Sequence, residues 1–212
     1  MVAVKYICFD MDGVIIDSEP AHYEAFRLTL KYSADKILNE KEYAAYFAGK
    51  TDRQGFTDYF SVNDFAHPPI DLLLRHKSQI YSDVVTSKTL PYPDTIAFIH
   101  TIPKEWRCAL VTSSSRHEAN FALERFDIAA YFNVIVTADD IRNSKPYPDG
   151  YIRAANLLHA PPSKCIAIED SPSGIRAALS AGMKCIALTT THDEIDLQEA
   201  TTVVSRLDPQ LF

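Results

Sequence analysis

Two carboxylates stand two positions apart at the end of an apolar stretch, in "VKYICFDMDG", at Asp10 and Asp12. Alternate residues of a strand share one face, about 6–7 Å apart, so both acids can point into one site. Two uncompensated carboxylates there would be costly, and a divalent cation relieves that cost. Oxygen ligands of this kind favour Mg²⁺. The pair therefore predicts a magnesium site, with an ordinary turn pair of aspartates as the alternative.

Three further segments carry groups suited to phosphoryl transfer. "IEDSPSG" supplies Glu169 and Asp170 as additional oxygen ligands, and "SKPYPDG" supplies a cation, Lys145. "VTSSS" places Thr112 and Ser113 just before a helix-like segment, where hydroxyl and free backbone N–H groups can hold a phosphate. Carboxylates, a cation site, an anion cradle and a lysine together indicate phosphoryl transfer.

Five short β-prone runs carry or precede these groups: 4–10, 106–113, 132–138, 164–170 and 184–190. Helix-like segments separate the last four, and the runs are almost continuously apolar. This alternation predicts an α/β fold with a parallel sheet covered on both faces. The carboxyl ends of such strands form the site, which is where the polar residues lie.

The interval between the first two runs is too long for a single crossover helix. It contains helix-like stretches at about 20–32, 39–47, 51–60 and 69–83 and no clear strand. We therefore predict an α/β core made of 1–17 and 88–212, with a helical cap, 18–87, inserted after the first strand.

Composition limits the partners. The 212 residues carry a net charge of -7, which argues against nucleic acid or an anionic membrane as the main partner. No apolar run approaches about 20 residues, and no signal peptide is evident, so we expect a cytoplasmic protein, and a monomer. The four cysteines lie in apolar runs without a C-x-x-C pair, which predicts reduced core thiols.

Four segments together resemble the four motifs of the haloacid dehalogenase superfamily, in order and at normal spacing. They are "DMDGVIIDSE", "VTSSS", "SKPYPDGY" and "IEDSPSGIRAALSAGM". The resemblance is strongest to the branch that contains β-phosphoglucomutase and phosphoglycolate-type phosphatases. It covers essentially the whole chain and implies a Rossmann-like core with a helical cap between the first two motifs.

The resemblance also implies catalytic roles. Asp10 would be the nucleophile that becomes an aspartyl phosphate, and Asp12 would protonate the leaving oxygen and then deprotonate water. Thr112 would hydrogen-bond the transferring phosphoryl group, Ser113 would donate its backbone N–H, and Lys145 would offset negative charge. The two serines that follow are expected to be helix-cap or surface groups: Ser114 and Ser115.

The same resemblance implies a Mg²⁺ site. Asp170 would bind the cation directly, joined by the Asp10 carboxylate and the backbone carbonyl of Asp12. Glu169 would be either a ligand or the partner of one.

In the cap, relatives place a histidine that faces the site, which suggests this role for His22, with a surface histidine as the alternative. We expect a loop that contacts substrate at Gly49, Lys50, Thr51 and Arg53. The alternative for this segment is a plain helix–helix turn. β-Phosphoglucomutases typically have a Lys-Gly-x-Ser-Arg pattern here, but Ala48 and Asp52 replace its lysine and arginine.

These features predict a Mg²⁺-dependent phosphatase that hydrolyses a small phosphorylated metabolite, such as a sugar phosphate. A phosphosugar mutase shares the first half-reaction and is the alternative enzyme, disfavoured by the incomplete cap pattern. The non-enzymatic alternative is a catalytically silent module that binds a phosphorylated ligand.

Overall fold

The computed structural model describes residues 5–48, 52–63 and 66–212. The chain divides into two compact units. We call Met1–Asp17 with Leu90–Phe212 the α/β unit, and Ser18–Thr89 the helical unit. The sequence-based boundaries lie at 17/18 and 87/88, and the role of the helical unit as a cap stays a prediction.

Short strands and helices make up both units. The strands are β1 (Tyr6–Phe9), β2 (Ile16–Asp17), β3 (Leu90–Pro91), β4 (Arg107–Val111), β5 (Phe132–Val136), β6 (Cys165–Glu169), β7 (Lys184–Leu188) and β8 (Thr202–Val204). The helices are α1 (Glu19–Ala34), α2 (Glu40–Tyr46), α3 (Asp52–Val62), α4 (Ile70–Lys88), α5 (Pro93–His100), α6 (Arg116–Arg125), α7 (Asp149–Leu157) and α8 (Pro172–Ser180).

Within the described residues, the α/β unit is built on a six-stranded parallel sheet in the order β5–β4–β1–β6–β7–β8. The first strand is central, with β4 and β6 on either side. Because neighbouring parallel strands end at the same edge, the residues that follow β1, β4 and β6 lie together. The predicted α/β fold class is confirmed.

Alternation along β1 explains why helices cover both faces of the sheet. Ile7 and Phe9 point into one apolar cluster, which also contains Phe98 of α5 and Leu123 of α6. Cys8 points into the opposite cluster, with residues of α7 and α8. Each face therefore buries its own apolar layer, and the polar groups gather at the strand ends.

The cysteines behave as predicted. All four are free and buried, and each lies on a strand of the sheet: Cys8, Cys108, Cys165 and Cys185.

Three short strands escaped the sequence analysis. The edge strand β8 has three residues, and β2 and β3 have two each. The last two pair antiparallel, Ile16 with Pro91 and Asp17 with Leu90, at the two places where the chain passes between the units. Such short runs carry too few residues for a periodicity to emerge.

The helical unit has its own aromatic core. Phe26 of α1 lies 4.4 Å from Phe47 and 5.1 Å from Phe56 of α3, measured between ring centroids. All three side chains are buried, so these rings hold the helices together. Among the described residues, no helix is long and apolar enough to span a membrane.

Candidate active site

Asp10 follows the last residue of β1 and lies at the carboxyl end of the central strand. Its backbone N–H donates to the carbonyl of Ile168 at 2.9 Å, which extends the pairing with β6. The side chain is buried, and its Oδ1 lies 2.7 Å from Nζ of Lys145. Burial, and next the charge of Glu169, raise the pKa of Asp10 well above its usual value, while Lys145 opposes them.

Lys145 connects Asp10 to a second carboxylate. Its Nζ also lies 2.6 Å from Oε1 of Glu169, which is fully buried. Burial disfavours the ammonium ion, but Asp10 and Glu169 together outweigh that effect and raise the pKa of Lys145 above its usual value. Lys145 therefore stays charged and contributes a fixed positive charge to the site.

Glu169 is held through both of its carboxylate oxygens. The hydroxyl of Tyr151, on α7, donates to Oε1 at 2.5 Å, and the hydroxyl of Ser171 donates to Oε2 at 3.3 Å. The carboxylate also packs against Gly174, where a Cβ would overlap it. This side chain is fixed by the protein, which fits either of the roles considered for it.

The acidic groups of the site fit a divalent cation. Asp10, Glu169 and Asp170 each offer a carboxylate oxygen within 4.8 Å of the others. Three carboxylates and one ammonium leave two negative charges without compensation. Burial, and next the charge of Glu169, raise the pKa of Asp170 to about 7. An all-oxygen donor set with this surplus charge suits Mg²⁺.

A glycine turn carries the chain away from this cluster. Gly13 has a φ of 78°, in the left-handed region that favours glycine. Its N–H donates to the carbonyl of Ile16 at 2.8 Å, which closes the turn. A Cβ on Gly13 would overlap the Asp170 carboxylate, so the turn and the acidic cluster depend on this residue being glycine.

The side chain of Asp12 contacts the segment after β4. Its Oδ2 accepts a hydrogen bond from Ser114 Oγ at 2.8 Å and lies 3.4 Å from Thr112 Oγ1. The hydroxyl of Thr112 also accepts from the backbone N–H of Ser114 at 3.0 Å. The two aspartates therefore occupy different surroundings, one beside a lysine and the other among hydroxyl groups.

The expectation for the two serines was half right. Ser115 is the N-cap of α6 and forms a capping box with Glu118, as predicted. The prediction for Ser114 was wrong, because its hydroxyl binds Asp12 rather than the helix end or solvent. Ser113 is exposed between β4 and α6, and its predicted contact with phosphate stays a prediction.

The predicted substrate-binding residues of the helical unit are only partly described. Gly49, Lys50 and Thr51 lie outside the described residues. Arg53 lies on α3, where its guanidinium is 2.5 Å from Asp71 and more than half of its side chain is exposed.

His22 belongs to a polar group inside the helical unit. Its ring stacks on Tyr81 of α4 at 4.3 Å between centroids, and its Nδ1 accepts from Lys77 Nζ at 2.9 Å. Burial, and then the charge of Lys77, lower the pKa of His22 to about 3, so the imidazole is neutral. Lys77 Nζ also lies 2.9 Å from Asp52, and only 4% of its side chain is exposed. We call these three residues the Lys77 group: His22, Asp52 and Lys77.

Sequence reasoning missed three side chains of these networks: Ser114, Tyr151 and Lys77. Tyr151 occupies an apolar position of α7, and Lys77 is one of several lysines on helices, so neither stands out along the chain. Ser114 lies inside the recognised motif "VTSSS", and this position was the available signal.

The fold and this site define a parallel α/β enzyme with a nucleophile candidate, a fixed lysine and an acidic cluster at the strand ends. The chain matches the haloacid dehalogenase-like hydrolase family over residues 7–188. It belongs to that family, and the predicted enzyme class, a haloacid dehalogenase-like hydrolase, is confirmed.

Curated relatives are similar along most of their length. Validoxylamine A 7'-phosphate phosphatase of Streptomyces hygroscopicus subsp. limoneus is 32% identical over 209 residues, covering 96% of this chain and 94% of the relative. Phosphorylated carbohydrates phosphatase of Thermotoga maritima is 31% identical, covering 86% of this chain and 84% of the relative.

A solved structure with the same fold is that of a putative beta-phosphoglucomutase from Thermotoga maritima. It has a TM-score of 0.77 and 28% sequence identity, and the match covers 95% of this chain and 94% of that one. Similarity thus extends to proteins named as phosphatases and to one named as a mutase.

Proposed function

We propose that this protein is a Mg²⁺-dependent phosphatase of small phosphate monoesters, which acts through an aspartyl phosphate on Asp10. Membership of the haloacid dehalogenase-like hydrolases and the two relatives named as phosphatases support the phosphoric monoester hydrolase class. The observation that carries the proposal is the buried contact of Asp10 with Lys145, next to Glu169 and Asp170.

In the first half-reaction, a carboxylate oxygen of Asp10 attacks the phosphorus atom and forms the acyl phosphate. The bond between phosphorus and the substrate oxygen breaks, and Asp12 donates a proton to that leaving oxygen. In the second half-reaction, Asp12 takes a proton from water, the water oxygen attacks phosphorus, and the carboxylate of Asp10 is released with inorganic phosphate.

The surroundings of the two aspartates suit these roles. Asp10 must be ionised to attack, and Lys145 at 2.7 Å favours its charged form. Asp10, Glu169 and Asp170, with the backbone carbonyl of Asp12, would hold Mg²⁺, which when bound supplies positive charge against the transferring phosphoryl group. Asp12 lies among hydroxyl groups instead, and the hydrogen bond from Ser114 fixes the orientation of its carboxyl group.

We propose a sugar phosphate or a chemically similar polyol phosphate as substrate. Two relatives whose names specify a phosphorylated carbohydrate and validoxylamine A 7'-phosphate support this class. We also carry forward the prediction of a monomeric, cytoplasmic enzyme that acts on a small metabolite.

Hydrolysis is favoured over a mutase reaction by the Lys77 group. A mutase must retain a bisphosphorylated intermediate, which requires a second group that binds a phosphate. Asp52 stands where mutases have arginine, and it pairs with Lys77 at 2.9 Å. A buried ammonium already neutralised by a carboxylate gains little by binding a phosphate, so water remains the acceptor of the phosphoryl group.

The first experiment is a screen of phosphorylated metabolites, in which inorganic phosphate is measured with Mg²⁺ and with excess chelator. We expect phosphate release from one or more sugar phosphates with Mg²⁺ and none with chelator. Full activity in chelator would contradict the metal assignment. Binding of a phosphorylated ligand with no turnover of any compound would favour the silent binding module.

The second experiment separates phosphatase from mutase. β-Glucose 1-phosphate is incubated with enzyme, Mg²⁺ and a trace of glucose 1,6-bisphosphate. We expect inorganic phosphate without accumulation of glucose 6-phosphate. Rapid formation of glucose 6-phosphate without free phosphate would identify a mutase.

A further inference from the structure

The segment after β7, "TTTHD" at 189–193, has no part in the predicted site, yet two of its threonines contact the site directly. Thr191 Oγ1 donates a hydrogen bond to Oδ2 of Asp170. His192 Nδ1 lies 2.8 Å from the same hydroxyl.

The neighbouring threonine contacts the glycine turn that lies against Asp170. Thr190 Oγ1 donates to the backbone carbonyl of Gly13 at 2.5 Å. The Asp170 carboxylate packs so closely against Gly13 that a Cβ there would overlap it. Consecutive residues at the end of β7 therefore fix both the turn against which Asp170 rests and the carboxylate itself.

The hydrogen bond from Thr191 distinguishes the two carboxylate oxygens of Asp170. Oδ2 is taken by Thr191, and Oδ1 has no hydrogen-bond partner in the part of the chain that the structure describes. Asp170 is 5% exposed, so little of its carboxylate reaches solvent while Thr191 is in place. Loss of the donor would leave the carboxylate free to rotate about its last torsion, which has broad minima.

We infer that Thr191 is a positioning residue, which binds Oδ2 of Asp170 and so orients the carboxylate to present Oδ1 to the divalent cation. The inference rests on the proposed Mg²⁺ dependence. Hydrogen-bond partners that orient a metal ligand typically change metal affinity by about 10–100-fold when they are removed. The predicted consequence is weaker Mg²⁺ binding, apart from any effect on catalysis.

The test is calorimetric titration of the full chain with Mg²⁺, without substrate. The variants are Thr191→Val, which keeps the shape and removes the donor, and Thr191→Ser, which keeps the donor. The matched control is Thr189→Val, the same substitution two residues earlier at an exposed position. We expect the Kd for Mg²⁺ to rise about tenfold or more in Thr191→Val. It should stay within about twofold of wild type in Thr191→Ser and Thr189→Val, because both variants keep a hydroxyl donor at position 191.

Thermal unfolding without Mg²⁺ confirms that each variant is folded, and Thr191→Ala replaces Thr191→Val should the latter not fold. Wild-type affinity in the folded variant that lacks the hydroxyl would overturn the inference and leave the proposed function intact. Equal weakening in Thr191→Ser would also overturn it, because that side chain retains the donor. Absence of Mg²⁺ binding by the wild-type protein would overturn the metal dependence itself, and the inference with it.

Discussion

Lys145 has to serve two carboxylates at once. It lies 2.7 Å from Asp10 and 2.6 Å from Glu169, and little of its side chain reaches solvent. Charges in such surroundings interact strongly because water screens them poorly. The same ammonium that favours ionised Asp10 therefore also stabilises the buried Glu169.

Replacement of Lys145 tests this double role. In Lys145→Met, we expect the rate of phosphate release to fall by about 10²–10³-fold, as when one preorganised charge is removed from an active site. The free energy of unfolding should fall as well, because two buried carboxylates lose their partner. Phosphate release and urea unfolding are measured on the same preparation. The control is Lys164→Met, at an exposed position. Equal rates in the two variants would contradict the role of Lys145.

Some residue roles could be anticipated from the chain and others could not. Asp10 and Asp170 were recognised because they follow predicted strands, and Lys145 because it lies in a motif that resembles one of the haloacid dehalogenase superfamily. Ser114, Tyr151 and Thr191 act through hydrogen bonds to those groups, and such partners depend on which strand ends become neighbours. Their types and positions are ordinary for a helix start, an apolar helix face and a loop.

Among the elements, α1 and α4 of the helical unit share a partly buried polar contact. His22 on α1 accepts from Lys77 on α4 and stacks on Tyr81 of the same helix. The imidazole of His22 is neutral for two reasons. Its Nδ1 accepts from the ammonium group of Lys77, and burial disfavours a charged ring. The packing of these helices is therefore sensitive to acid.

The pH dependence of stability follows from this contact. The pKa of His22 falls from 6.5 to about 3 on folding, because of burial and then Lys77. Between these values the unfolded chain binds the proton and the folded chain does not. The free energy of unfolding therefore falls as pH falls, by up to about 1.4 kcal/mol per pH unit from this group.

Urea unfolding at a series of pH values between about 4 and 7 measures that slope. In His22→Asn, which retains an acceptor for Lys77, we expect a shallower loss of stability towards low pH than in wild type. Other groups contribute to the absolute slope, so the difference between proteins is the observable. The control is His159→Asn, at an exposed position that should leave the slope unchanged. Identical slopes in wild type and His22→Asn would contradict a neutral buried His22.

The elements themselves were largely predictable. Strands such as β6 and β7 are apolar runs followed by polar residues, and α8 ends just before Gly182, which has a φ of 85°. The short β2–β3 pair and β8 depend on tertiary pairing rather than local pattern, and sequence reasoning did not find them. The Lys77 group was likewise hidden, because Asp52 and Lys77 are 25 residues apart.

In the whole molecule, the two units of the chain contain residues with different proposed roles. The α/β unit contains every residue proposed for attack, proton transfer and metal binding. The helical unit contains the segment, 48–53, that differs from the mutase pattern. We therefore expect substitutions in the first unit to change the rate for all substrates and those in the second to change substrate choice.

The proposed function depends above all on attack by Asp10 on phosphorus in a Mg²⁺-dependent reaction. The most direct measurement is the rate of inorganic phosphate release from a sugar monophosphate turned over by the wild-type protein, compared with Asp10→Asn and with Asp94→Asn as an exposed control. With Mg²⁺ present, we expect the control to match wild type and Asp10→Asn to lose about 10³-fold or more, since an amide is a poor nucleophile. Hydrolysis by Asp10→Asn at a near wild-type rate would contradict the account.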